Sequence, residues 1–200
     1  MYHPAPLRHV ASALDRFGRD ERASVTVEAV LILPVVLWTF LATFSWFDAY
    51  QNKSLSMKAN YAISDLMSRE TRTLDMNYLN GLEQVYEFLT RAESDAWVRV
   101  TVVHCTEKCD QSSRTLKRDW SKATDDVETY SNAGVMEHLE PIVPWIALGE
   151  RVIVVETSQQ YTPPFSQNLT GIGPRTVHDV VMTRPRFAPQ LCFQGENCGT

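Results

Sequence analysis

The residue with the most unusual setting is Glu28. It lies in SVTVEAVLIL, at the head of a run of 19 uncharged residues from Ala29 to Phe47, AVLILPVVLWTFLATFSWF. A carboxylate in a bilayer costs on the order of 2.5–3.5 kcal/mol at the centre of a span and less near an interface. Two uses of Glu28 stay open. It could snorkel to the near face or stay protonated, or it could await a positive partner.

The four cysteines are the next reactive groups. Cys105 and Cys109 are spaced C-x3-C, and Cys192 and Cys198 are spaced C-x5-C. Three pairings exist. The two local ones are favoured, because each closes a turn after a strand or in the tail. A loop that short stabilises by about 2 kcal/mol or less. A zinc site built from His104 and these sulfurs is the rival, although the spacing is not that of common zinc modules.

Little else points to catalysis. The chain has no G-x-S-x-G, no H-E-x-x-H and no phosphate-binding glycine loop. The five histidines (3, 9, 104, 138 and 178) are scattered. Asp125, Asp126 and Glu128 cluster, and a solvated acidic turn is favoured over a calcium site. No enzyme activity, cofactor or metal is expected. Beyond the apolar run, 15 Lys and Arg face 20 Asp and Glu. That acidic excess argues against nucleic acid as a partner, which needs a basic stripe.

The elements that must position these residues begin with the apolar run. Nineteen residues of helix rise about 28 Å, close to the ~30 Å hydrocarbon layer. Trp46, Phe47 and Tyr50 sit at its outer end, where amphipathic rings favour the headgroup level. Arg16, Arg19 and Arg22 precede it, and the first bases after it are Lys53 and Lys58. The positive-inside rule then predicts a single span with the N-terminus in the cytoplasm and the C-terminus outside. A secretory signal fits less well, since its apolar region is usually ~7–15 residues and ends at small residues. The expected division is a basic cytoplasmic leader over 1–23, a transmembrane helix over 24–47 and an extracytoplasmic domain over 48–200. Disulfides persist in such a compartment.

A basic leader, a small residue, a Glu four residues after Ser24 and an apolar run containing Pro34 together resemble the N-terminus of a type IV prepilin or pseudopilin. The stretch RFGRDERASVTVEAVLILPVVLW is similar to the TadE/TadG-like pseudopilins of tight-adherence (Flp-type) pilus systems. The likeness is strong over about 30 residues and loose beyond, through the strand near Arg151 to Tyr161, TPPF and the closing RPRFAP. It implies cleavage by a prepilin peptidase between Ala23 and Ser24, making Glu28 the fifth mature residue. Ala23 departs from the Gly usual before the cut, and Ala29 from the aromatic residue that often follows the Glu. It also implies that Glu28 pairs with the new Ser24 amine of a neighbouring subunit, and that Pro34 serves as a bend during assembly. Partners would be other pilin or pseudopilin subunits and pilus-assembly proteins. The location would be a bacterial inner membrane, with the C-terminal domain periplasmic or assembled into a surface pilus. A single-pass periplasmic anchor or sensor, never assembled into a fibre, is the alternative.

The remaining pattern predicts an α+β fold of pilin-like outline. The first helix continues past the membrane to about residue 70, with Leu55, Ala59, Ala62 or Ile63, and Leu66 as its apolar stripe. Asp75 caps a second helix whose apolar face is Leu79, Leu82, Val85, Tyr86 and Leu89. Strands follow at 97–105, 114–123, 151–161 and 176–184, forming a small antiparallel sheet. Residues 124–149 are expected to be irregular or partly helical, and the tail an extended loop.

Overall fold

A computed structural model describes residues 21–92, 96–196 and 198, with side chains from residue 25 onward. The protein is a mixed helix-and-strand structure with one long N-terminal helix and a four-stranded antiparallel sheet. Residues 1–20 of the leader expected over 1–23 lie outside the described residues.

Helix α1 runs without interruption over Glu21–Arg69, 49 residues, through Pro34. Thr39 and Ser45 donate their hydroxyls to the carbonyls of Val35 and Leu41, one turn back, so neither needs water. The helix ends where Glu70 accepts hydrogen bonds from the backbone N–H groups of Arg72 and Thr71. Those backbone bonds, the one from Arg72 first, hold its carboxyl below the usual glutamate range.

Helix α2 spans Met76–Thr90, and Asp75 caps it by accepting from the Tyr78 N–H at 2.8 Å. Arg91 closes it in the left-handed conformation, φ 57°, and the Ala92 N–H returns to the Glu87 carbonyl. The strands are β1 Trp97–Glu107, β2 Thr115–Ala123, β3 Arg151–Tyr161 and β4 Arg175–Thr183, in the order β2-β1-β3-β4. All three pairings are antiparallel. Their β-branched alternation is what period-two patterning requires.

The chain divides into two compact units, one of residues up to Phe47 with Pro164–Ile172, the other of Asp48–Pro163 with Gly173 onward. In the second unit the sheet buries one face against helices. Val98, Val100, Val102, Trp120, Ile153 and Val155 pack with Ala59, Ile63 and Met67 of α1 and Leu79, Leu82 and Tyr86 of α2. Each large apolar side chain buried there contributes about 1.5–3 kcal/mol. The tail joins this core rather than lying loose. Leu191 and Phe193 are buried in it, the Trp120 indole donates to the Leu191 carbonyl, and Leu74 exchanges backbone bonds with Cys192 and Gln194.

The opposite face is covered at one end by the segment before β3. There Val135, Leu139, Val143 and Ile146 lie over Val103, Leu116, Val152 and Val154. The segment is partly helical: a short turn, Asn132–Gly134, runs into a π-helical turn, Val135–Leu139. Arg114, almost fully buried, fastens it. Its guanidinium donates to the carbonyls of Glu140, Val143 and Pro144 and pairs with the Glu140 carboxylate.

Candidate functional site

Two stretches of α1 carry the candidate residues, and they differ in what surrounds them. In the first unit, the helix from Val25 to Leu37 presents apolar side chains on every side. Val30 is 66% exposed, Leu31 66% and Ile32 49%, although successive residues point about 100° apart around the axis. A helix that is apolar all round is stable only inside protein or lipid. Its apolar part is long enough to cross a membrane. Glu28 lies on this surface beside Val25, Ala29, Ile32, Leu33, Val36 and Leu37, which line one shallow apolar groove with it. Pro34 is in the same helix, so one backbone carbonyl there lacks its usual partner. Ala23 and Ser24 have helical backbone, and their side chains fall outside the described residues.

Further along the first unit, two contacts join the helix to the loop between β3 and β4. The Trp38 indole N–H donates to the Leu169 carbonyl at 2.8 Å, and Phe44 meets Phe165 edge-on with ring centroids 5.9 Å apart. The loop contains a one-turn helix, Gln167–Thr170, closed by Gly171 at φ 78°.

In the second unit, residues 48–69 of α1 lie on the sheet through small polar side chains. Ser56, Asn60, Ser64 and Ser68 are all buried, alternating with Ala59, Ile63 and Met67. This corrects the expected stripe: Leu66 is 46% exposed and Ala62 lies on the open side. On α2, Val85 and Leu89 likewise turn outward, while Leu79, Leu82 and Tyr86 are buried. Small residues let the helix backbone approach the sheet more closely than Leu would. The signal was present as a polar residue at every fourth position, which apolar periodicity ignores.

Asp179 on β4 is the hub of this seam. It is buried, and its carboxylate accepts from the Ser56 hydroxyl at 2.6 Å and pairs with the Lys53 ammonium. Ser56 shares a second bond with the Tyr86 hydroxyl at 2.7 Å. Burial pushes the Tyr86 phenol up, against the opposing pull of its bond to Ser56. The Asn60 amide donates to the Asp179 carbonyl, and the Gln159 amide donates to Asn52. Nearby, the Tyr161 hydroxyl donates to Asp48 at 2.7 Å, and burial followed by that carboxylate raises its pKa far above the usual tyrosine range. These groups bind α1 to β3 and β4 and contain no activated nucleophile.

A second polar cluster occupies the other sheet face. Arg99 makes a two-pronged pair with the buried Glu156 at 2.8 and 2.9 Å and also donates to the Tyr130 hydroxyl. Burial favours neutral Arg99, but Glu156 outweighs it and the net shift is upward. On the helix-bearing face, in line with Val102 and Ile153, His104 and Arg151 both approach Asp119, each at 2.8 Å.

The cysteines form Cys105–Cys109 and Cys192–Cys198, with Cα atoms 5.9 and 5.7 Å apart. Asp125 and Asp126 form an exposed turn, both left-handed, and the Glu128 carbonyl is held by Arg99. Among the described residues, no three His, Cys, Asp or Glu side chains are grouped to hold a metal ion. Compared with family models, curated proteins and solved structures, the chain matches none.

Proposed function

We propose that this protein is a membrane-inserted, non-enzymatic assembly subunit: a pseudopilin or minor pilin of the tight-adherence type. The observation that carries this reading is the unpartnered apolar helix, Val25–Leu37, bearing a single carboxylate at Glu28. Such a helix gains most by packing laterally with others of its kind in lipid or in a fibre. The leader and its resemblance supply the rest: a cut between Ala23 and Ser24 creates an α-amine one turn from Glu28. An amine and a carboxylate that are each costly in an apolar layer favour each other across subunits and set their axial register. The order of elements, a long N-terminal helix followed by a small antiparallel sheet, supports the same reading. The subunit's partners are then other pilin-like subunits, the assembly proteins and a prepilin peptidase. Its membrane is a bacterial inner membrane, with the sheet domain in the periplasm.

The test is the mass of the membrane form together with its co-purifying proteins. An N-terminus at Ser24 and recovery with pilus-assembly proteins are expected. A full-length N-terminus with no such partners would leave the single-pass anchor or sensor reading, which the same exposed helix also supports.

A further inference from the structure

The β3–β4 loop lies against the apolar helix itself, and that contact carries information about membrane depth. Within the first unit, the Leu169 carbonyl accepts from the Trp38 indole, and Phe165 packs on Phe44. Trp38 precedes Phe47 by nine residues, a rise of about 14 Å, or half a hydrocarbon layer. If Phe47 marked the outer edge, the loop would reach the bilayer midplane. Ser166, Gln167 and Asn168 are exposed on it, and lipid-exposed irregular backbone does not occur at that depth.

The loop is nevertheless built for an apolar boundary. Its one-turn helix satisfies much of its own backbone: Leu169 and Thr170 N–H bond to the Ser166 carbonyl, and Gly171 N–H to that of Gln167. The Leu169 carbonyl is met by Trp38, a residue type favoured where an apolar body must keep a wet edge. Leu169 stays partly exposed, Phe165 is half-buried, and exposed Phe40 and Phe44 lie on the same stretch of helix.

We propose that Pro164–Ile172 is an interfacial element that seats in the headgroup and acyl boundary of the outer leaflet. It places the hydrocarbon edge at the turn Trp38–Leu41 rather than at Phe47. Its partner is a phospholipid surface, met at the hydrocarbon edge by Phe40 and Leu169 and in the headgroup layer by Phe44, Phe165 and the exposed Ser166, Gln167 and Asn168. The inference rests on reading the apolar helix as membrane-spanning.

Nitroxide labels on single added cysteines test it, in the full chain with both native disulfides closed, reconstituted into phosphatidylcholine–phosphatidylglycerol vesicles. Labels at Val30→Cys, Asn168→Cys and Gln84→Cys report lipid, loop and water-facing domain surface. Asn168→Cys is expected to have a several-fold lower accessibility to a water-soluble nickel chelate than Gln84→Cys. It should also have lower oxygen accessibility than Val30→Cys. Full chelate accessibility at 168 with Val30→Cys still in lipid would overturn the interfacial loop alone. Accessibility at 168 equal to that at 30 would overturn it too, by making the loop deeply inserted. An aqueous Val30→Cys would instead overturn the membrane reading on which it rests.

Discussion

The two halves of helix α1 share one backbone but solve opposite problems. Residues 25–37 expose Val, Leu, Ile and Ala in every direction, interrupted before Trp38 only by Thr26, Glu28 and Pro34. Residues 48–69 expose charge on one side and bury serines, an asparagine and only a few apolar side chains on the other. The second half is held by specific polar bonds to Asp179 and by Ile63 and Met67. Apart from Thr26 and Glu28, the first half offers non-directional apolar surface, which suits lipid or another apolar helix. A helix can thus be fixed at one end and left uncommitted at the other by changing only its side chains.

The largest effects should come from exchanging the two chemistries. Leu33→Arg puts a charge into the uncommitted half and should weaken insertion by roughly 2.5–3.5 kcal/mol, read as loss from the membrane fraction. Gln51→Arg, on the exposed side of the other half, should leave insertion unchanged. Ile63→Ala removes a fully buried side chain and should destabilise the sheet domain by about 2–5 kcal/mol in denaturant melts of the detergent-solubilised chain. An Ile63→Ala protein as stable as the parent would mean that the helix is not part of that core.

Asp179→Ala tests the polar seam. It strips Lys53 and Ser56 of their acceptor, and because Lys53 is partly solvated the loss should be about 1–3 kcal/mol. Asp179→Asn keeps an acceptor and should lose less. The uncommitted half has a matching test at Glu28. Glu28→Ala should insert as well as the parent or better, and be cleaved, yet fail to join the assembly. Glu28→Gln should fall between. Normal assembly of a cleaved Glu28→Ala protein would sink the pairing mechanism.

The smallest effect is a pH dependence. Burial raises the Glu83 carboxyl above its ordinary value of 4.5, although the Thr124 hydroxyl donates to it. A raised carboxyl pKa favours the folded state when protonated. Its contribution is therefore present below pH 4.5 and lost as pH rises through the folded value. Glu83→Gln should remove this slope and leave stability near pH 7 equal or slightly higher. An unchanged slope between pH 4 and 7 would assign it to other groups.

Local signals carried much of this architecture. The Asp75 cap, both main helices and all four strands follow from side-chain periodicity and capping chemistry, with ends shifted by only a residue or two at most positions. The apolar run was legible because nothing in it needs water. The seam was not, because apolar periodicity passes over Ser56, Asn60, Ser64 and Ser68, and the carboxylate that Ser56 bonds, Asp179, lies 123 residues further on. Leu66, Val85 and Leu89 misled for the complementary reason, being apolar without being covered. In the sequence Arg114 is only the first residue of the second expected strand. Its role as a clamp depends on carbonyls at Glu140, Val143 and Pro144 that no local pattern points to. The same holds for the Trp38–Leu169 contact, which joins residues 131 apart.

If the loop seats at the interface as proposed, that contact also sets the depth of Glu28, which it never touches. With the outer edge at Phe47, Glu28 lies about 28 Å below it, level with the inner surface of the ~30 Å hydrocarbon layer. With the edge at Trp38–Leu41 it lies only about 15–20 Å below, well inside that layer. A lone subunit held at this height stores strain that a shallower one would not, and a carboxylate side chain is too short to reach water from there. The loop would therefore work as a loading device. On the assembly reading proposed above, pulling the helix outward would make the solitary state in the membrane the uncomfortable one, and association with a neighbour would be the relief.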